Sequence, residues 1–279
     1  MSRTVTKRIG EAEVSIITDG ATNFTPDLFP QTAPEDISAL LKQANASEIV
    51  TNFNAVLIRH GNRVTLADAG PRDLFGPSCG FLHEGLKELG VRPEDIDTLL
   101  ATHLHPDHIA GMITAEGAAV FPKARLYVTE ADRAFWSDQT RFEGALSGVA
   151  DWARLAQAVL AAYGDRLESL KDGQEAMPGL TGMALPGHTP GHFGWRLDSA
   201  GESLIHVGDI VHAPDLQIAD PDVAISFDID IDTARQTRKR LLDQLASDKT
   251  LFTGGHFLQP AFNRVVRKGS GYRLETGAE

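Results

Sequence analysis

At 279 residues, with 42% apolar and 23% charged side chains, the chain has the mix of a globular protein able to bury a large core. No stretch approaches the roughly 20 apolar residues of a membrane span, and Met1 to Arg8 lack the apolar run of a secretory signal, so a cytoplasmic location is expected. Lys and Arg number 26 against 38 Asp and Glu, a net charge of −12 that argues against nucleic acid or anionic membrane as partners. Cys79 is the only cysteine, which excludes an internal disulfide and leaves it as a small loop residue.

In chain order, Glu13 to Thr18 and Phe53 to Arg59 are β-rich, and Gly61-Asn62 predicts a hairpin turn into Arg63 to Ala67. A helix is expected around Gly80 to Leu89, stopped by Gly90. Ile96 to Ala101 is continuously apolar, as in a strand buried on both faces. From about Glu130 to Leu170 the pattern is helical, with Trp152, Leu155, Val159 and Leu160 on one face. Strands are predicted at Leu180 to Leu185, Phe193 to Leu197 and Ser203 to Val207. Asp232 is expected to cap a helix running to about Ala246, with Leu241, Leu242 and Leu245 inward and Arg235, Arg238, Lys239 and Arg240 on a solvated face. Leu251 to Thr253 predicts a last core strand, followed by a short pair. This order suggests two β/α halves with sheets facing inward and helices outside.

The chemistry concentrates in Thr102-His103-Leu104-His105-Pro106-Asp107-His108, where a buried strand ends. Neutral imidazole and carboxylate are good ligands for zinc and similar divalent ions. On an extended segment His103 and His105 point to the same side, and Pro106 turns the chain so that Asp107 and His108 approach from another direction. One metal can take the first two histidines and a second the Asp-His pair. Matching residues recur after later strands beside glycine: His188 in Pro186-Gly187-His188, Asp209 in Gly208-Asp209, and His256 in Gly254-Gly255-His256. Asp68, in Leu66-Ala67-Asp68-Ala69-Gly70, sits in the same kind of place.

These motifs resemble the metallo-β-lactamase superfamily, from about Asn52 to the end of the chain. The resemblance implies a four-layer αββα sandwich of class α/β, forming one domain over 1–279, with a helical insertion at about 130–170 covering the site. It implies that His103, His105 and His188 bind one divalent metal, Asp107, His108 and His256 the other, and that Asp209 bridges them. Zinc is the first expectation, with Mn, Fe, Co or Ni as alternatives. Asp68 would position the ligand loop, and His192 would support a ligand rather than be one, while His60, His83 and His206 are assigned to structure or surface. Asp rather than Cys at 209 argues against β-lactamase activity, and the short segment after His256 argues against glyoxalase II. Gly208-Asp209-Ile210-Val211-His212, Asp220-Pro221, Phe227-Asp228-Ile229-Asp230, Arg238-Lys239-Arg240 and Gly269-Ser270-Gly271-Tyr272 look closest to the methyl parathion hydrolase-like group. Acyl-homoserine lactonases carry Tyr where this chain has His212.

The expected function is a dinuclear hydrolase that uses a metal-bridging hydroxide to open lactones or cleave aryl esters. Asp107 would ligate and accept a proton, and His212 would bind substrate or protonate the leaving group, a pocket-lining role being as good a reading. The partner is a small neutral ester or lactone, with a homodimer suggested by analogy. Among Phe24, Phe29, Phe75, Phe81, Phe135, Trp136 and Trp152, some are expected to wall an apolar pocket. The alternatives are an organophosphate triesterase and, from another class, a diiron redox or non-catalytic metal-binding protein.

Overall fold

The longest strands form where apolar residues fill consecutive positions, because a strand covered on both faces has no solvent side to supply polar ones. A computed structural model describes residues 2–144, 147–258 and 261–276. The first sheet takes its strands in chain order: β1 (Thr4–Ile9), β2 (Ala12–Phe24), β3 (Ile49–His60), β4 (Arg63–Ala67), β5 (Thr98–Leu100), β6 (Arg125–Val128) and β7 (Leu167–Ser169). Between them lie helices α1 (Pro34–Ala44), α2 (Leu82–Glu88), the single turn α3 (Pro106–Ile109), α4 (Glu130–Ser137) and α5 (Ser147–Tyr163). The second sheet runs from β8 (Glu175–Met177) through β9 (Leu180–Ala184), β10 (Phe193–Ser199), β11 (Glu202–His206) and β12 (Leu251–Thr253) to β13 (Asn263–Lys268) and β14 (Gly271–Thr276), with α6 (Pro214–Gln217) and α7 (Ile231–Asp248) between β11 and β12. Among the described residues each sheet has seven strands.

Period-two side-chain alternation divides each strand between two cores. Val14, Ile16, Val56 and Ile58 of the first sheet meet Trp195, Leu197, Leu204 and Leu251 of the second in the central layer. The alternate residues Ile17, Ala55, Leu57 and Leu66 face outward to α2 and α5, where Leu82, Leu86, Ala156 and Val159 cover them. On the far side Ile205, Val207 and Phe252 pack against Leu241, Leu242 and Leu245 of α7. The result is an αββα sandwich of the metallo-β-lactamase fold.

The expected elements form, with several differences. Strand β7 pairs with β6 inside the stretch expected to be helical to about Leu170, and β1, β6 and β8 were not expected. Strand β2 continues to Phe24 and β3 begins at Ile49, because the two pair as a ladder well past the apolar runs. Helix α1, which no expectation covered, starts with Pro34 at its first turn and ends at left-handed Asn45. Helix α7 is capped by Asp230, not Asp232: Asp230 accepts from Thr233 N at 3.0 Å and Thr233 Oγ1 at 2.7 Å. Arg238, expected in solvent, is instead 0% exposed. It stands three, four and seven positions before the inward leucines and so shares their face. Among the described residues no helix is long and apolar enough to cross a membrane.

Candidate metal centre

Strands β4 and β5, and likewise β11 and β12, are parallel neighbours, so the loops leaving their C-terminal ends gather at one edge of the sandwich. Asp68 follows β4, His103 and His105 follow β5, Asp209 follows β11 and His256 follows β12, while His188 lies in the loop joining β9 to β10. Pro106 opens the turn α3, which carries Asp107 and His108 back over the same edge. Two glycines make room. A Cβ on Gly208 (φ +54°) would lie 2.4 Å from His192 Nε2, and one on Gly255 would lie 2.7 Å from Asp209 Oδ1.

One oxygen, Asp209 Oδ2, stands 2.9 Å from His108 Nε2, 2.9 Å from His256 Nε2, 3.1 Å from His212 Nε2 and 3.6 Å from both His103 Nε2 and His188 Nε2. Asp107 Oδ2 lies 3.5 Å from His108 Nε2 and from His256 Nε2. His188 Nε2 is 3.1 Å from His103 Nε2 and 2.8 Å from His105 Nδ1. His103, His105 and His188 thus form one group of donor atoms able to hold an ion, and Asp107, His108, Asp209 and His256 another; His188, Asp209 and His212 also cluster.

The opposite ring nitrogens set the tautomers. His108 Nδ1 donates to Asp68 Oδ2 at 2.8 Å, His188 Nδ1 to Asp228 Oδ1 at 2.9 Å, and His256 Nδ1 to the Asn52 carbonyl at 2.8 Å. His103 Nδ1 donates to Thr102 Oγ1 at 3.1 Å, whose own proton goes to Asp68. In their neutral form the rings aim Nε2 lone pairs at one another and at a carboxylate. With acceptors on every side, only positive charge reconciles them. Asp209 Oδ1 and His108 Nε2 are also buried with no hydrogen-bond partner among the described residues. A pair of divalent cations fits this donor set.

The electrostatics divide the histidines. Burial drives His103 and His188 well below the usual imidazole range, aided by neighbouring histidines, and takes His105 down to about 3. His108 moves the other way: burial lowers it, but Asp209, Asp107 and Asp68 together hold it well above that range. Burial would raise Asp107, yet His108 and His256 bring it down to about 2.

His192 binds through both nitrogens, Nδ1 to the Leu185 carbonyl at 2.7 Å and Nε2 to Asp209 N at 2.8 Å, which leaves it no lone pair for a metal. His206 is buried and stacks on Trp195, with ring centroids 5.1 Å apart. Asp68 also accepts from Thr102 N at 2.9 Å. Asp68→Asn should let the His108 ring turn and lower divalent-metal affinity by about 10–100-fold, read by competition with a chromogenic chelator.

Several supporting residues escaped the sequence. Asp228 behind His188 and the Asn52 carbonyl behind His256 are two. Asp132 is another: its Oδ1 accepts from Gly191 N at 2.8 Å and its Oδ2 from Leu104 N at 3.0 Å, tying the two histidine loops together. Beside the centre is a cavity of about 70 Å³ lined by Phe24, Phe53, Phe75, Asp107, Trp152, His212 and Phe227 among others. Of the expected aromatic walls, Phe24, Phe75 and Trp152 take part. Phe29 is buried with α1, Phe81 lies under Arg3, and Phe135 packs on Phe142, while Trp136 meets the edge of His105. Phe53 and Phe227 were not anticipated.

Residues 50–256 match the family model described as metallo-beta-lactamase superfamily. The chain is similar to a probable metallo-hydrolase of Mycobacterium tuberculosis and to one of Mycobacterium bovis, each 30% identical over 132 residues, 44% of this chain and 40% of the relative. It thus spans about 40% of the length of these curated relatives. Among solved structures it is similar, over 100% of its length and 99% of theirs, to a hydrolase named AbOPH, described as in the beta lactamase superfamily (TM-score 0.93, 29% identity). It is also similar in fold to AidC, described as a dizinc quorum-quenching lactonase in complex with a homoserine product (TM-score 0.92, 24% identity, 100% of this chain and 98% of that one).

Proposed function

The chain belongs to the metallo-β-lactamase superfamily, and from that premise we propose that it is a dinuclear metal-dependent hydrolase acting on lactones or aryl esters. The observation that carries this reading is the set of imidazole lone pairs converging on Asp209 Oδ2. His103, His105 and His188 would hold one cation, Asp107, His108 and His256 the other, and Asp209 both, with zinc as the first candidate. When bound, such ions lower the pKa of water toward neutrality and withdraw charge from an acyl carbonyl.

The chain's own residues do the rest. Phe24, Phe53, Phe75, Trp152 and Phe227 present an apolar wall with no cationic side chain, which favours a neutral substrate and excludes water from the reacting face. Asp107 has a partly exposed side chain that lines the cavity, so its carboxylate can take a proton there. His212 Nδ1 contacts the Asp209 carbonyl at 2.9 Å, and its ring stacks on His256. This fixes the ring with Nε2 3.1 Å from Asp209 Oδ2, at the wall of the cavity that His212 helps to line, from which the ring in its protonated form would hand a proton to a departing oxygen. His212→Ala should lower kcat by about 100-fold or more while leaving metal content unchanged; unaltered kinetics would remove it from the mechanism.

Residues 1–279 are read as one unit of this fold, with α4 and α5 as the insertion over the site, and a homodimer is proposed by analogy, to be checked by sedimentation velocity. The fold shared with a lactonase supports the substrate class. An organophosphate triesterase is the second reading, since the same nucleophile can attack phosphorus. The deciding experiment is elemental analysis of the purified protein followed by a panel of lactones, aryl esters and phosphotriesters. Two equivalents of metal with preferred lactone or ester turnover is the expected result. Activity on phosphotriesters alone would select the second reading, and a metal-loaded protein inert to all three classes would overturn both.

A further inference from the structure

Asp19 interrupts the pairing of β2 with β3. Thr18 lies opposite Asn54 and Gly20 opposite Phe53, so Asp19 bulges out between them. Its carboxylate is 0% exposed and turns to the segment joining β4 to α2. Oδ2 accepts from Gly80 N at 3.1 Å and Oδ1 from Leu82 N at 2.5 Å, while the Asp19 carbonyl accepts from Phe81 N at 3.1 Å. At the other end of that segment, a Cβ on Gly70 would lie 2.5 Å from Asp19 Cγ. Both ends of residues 70–82 are therefore seated on one buried side chain.

Between those ends the segment carries Leu74 and Phe75, 46% and 44% exposed. Solvent holds neither in place. Phe75 nevertheless stacks on Phe53 with centroids 5.2 Å apart and planes within 13°, and Phe53 stands edge-on to His256 at 6.0 Å. Phe53 is the residue paired with Gly20, next to the bulge. One strand position thus anchors the segment while its cross-strand neighbour receives the segment's aromatic ring.

We propose that Asp19 is a positioning residue for substrate selection: it clasps residues 70–82 so that Phe75 stands as the outer apolar wall of the cavity, favouring substrates whose apolar group is long enough to reach that ring. This rests on the hydrolase reading above. A carboxylate suits the task because both oxygens accept from N–H groups, whereas an amide would turn a donor toward one of them. Burial pushes the Asp19 carboxyl up to about 6, against the amides of Gly80, Leu82 and Phe81 and the charge of Arg3. Arg3, ahead of β1, and Cys79, on the clasped segment, are the charged or titratable groups felt at this carboxylate. Above that pH both oxygens accept. Below it, one carries a proton that faces an N–H.

The test compares kcat/KM for p-nitrophenyl octanoate with that for p-nitrophenyl acetate in the zinc-loaded protein, for wild type, Asp19→Asn, Phe75→Ala and the double variant. Each single change should lower the octanoate-to-acetate ratio about tenfold, the scale of one lost apolar contact, chiefly through the octanoate KM. In the Phe75→Ala background Asp19→Asn should change the ratio no further. Equal losses on both esters, or a further drop in the double variant, would overturn the clasp. If Asp19→Asn does not fold, the wild-type ratio is followed from pH 7.5 to 5. It should fall through about pH 6 while that of Phe75→Ala stays level, and a level wild-type ratio overturns the proposal. Effects of pH on the metal centre act on both esters and cancel in the ratio. Turnover of neither ester removes aryl esters from the hydrolase reading and overturns the clasp with them, whereas turnover of both with an unmoved ratio overturns the clasp alone.

Discussion

Replacing Asp209 by Ala is expected to strip the protein of bound divalent metal and to lower kcat/KM by well over the roughly 10–100-fold that follows loss of a hydrogen-bond partner behind a ligand. Asp209 Oδ2 is the atom nearest to both donor groups, within 3.6 Å of His103 and His188 on one side and 2.9 Å of His108 and His256 on the other. Its removal leaves the two groups of buried imidazoles with no carboxylate shared between them, so the affinity of both sites should fall together. Metal analysis after dialysis, alongside steady-state rates on the preferred substrate, checks this. A variant that keeps two equivalents of metal and near-normal rates would contradict the bridging assignment.

Arg238→Met should destabilise the fold by about 3–5 kcal/mol, the usual cost of removing one partner from a buried ion pair. The guanidinium donates to the carbonyls of Ile210 at 2.5 Å, Pro221 at 2.9 Å and Val223 at 2.9 Å, and lies 3.5 Å from Asp228 Oδ2. Without it three inward carbonyls lose a donor, and the 0%-exposed Asp228 side chain keeps only His188 among these contacts. Burial already pushes the Asp228 carboxyl up, and Arg238 opposes that shift. Losing Arg238 should therefore favour a protonated Asp228, which is a poorer acceptor for His188 Nδ1–H. Denaturant unfolding measures the first effect and metal affinity the second. A loss under about 1 kcal/mol would show that the loop carries itself without the arginine.

The residues of the candidate metal centre were legible because their signal is local and chemical. Histidine and aspartate beside glycine, each after an apolar run, mark strand ends where side chains meet a shared edge. The sandwich was legible for a related reason: Ile96 to Ala101 reads as a strand covered on both faces, and the leucines of α7 repeat with helical period. Arg238 was misplaced although its spacing to Leu241, Leu242 and Leu245 puts it on the buried face. A charge suggests solvent until the structure supplies four acceptors for it.

Taken alone, the amino-acid order determined which groups are available to bind cations and that they emerge from the ends of core strands, since residue type and hydrophobic period are properties of a short stretch of chain. Which carbonyl or carboxylate backs each histidine, which aromatics wall the cavity, and how Asp19 comes to grip a loop some 60 residues away were decided only by the tertiary structure. Those contacts join positions far apart in sequence, and nothing in either partner names the other before packing brings the two sheets and their loops together.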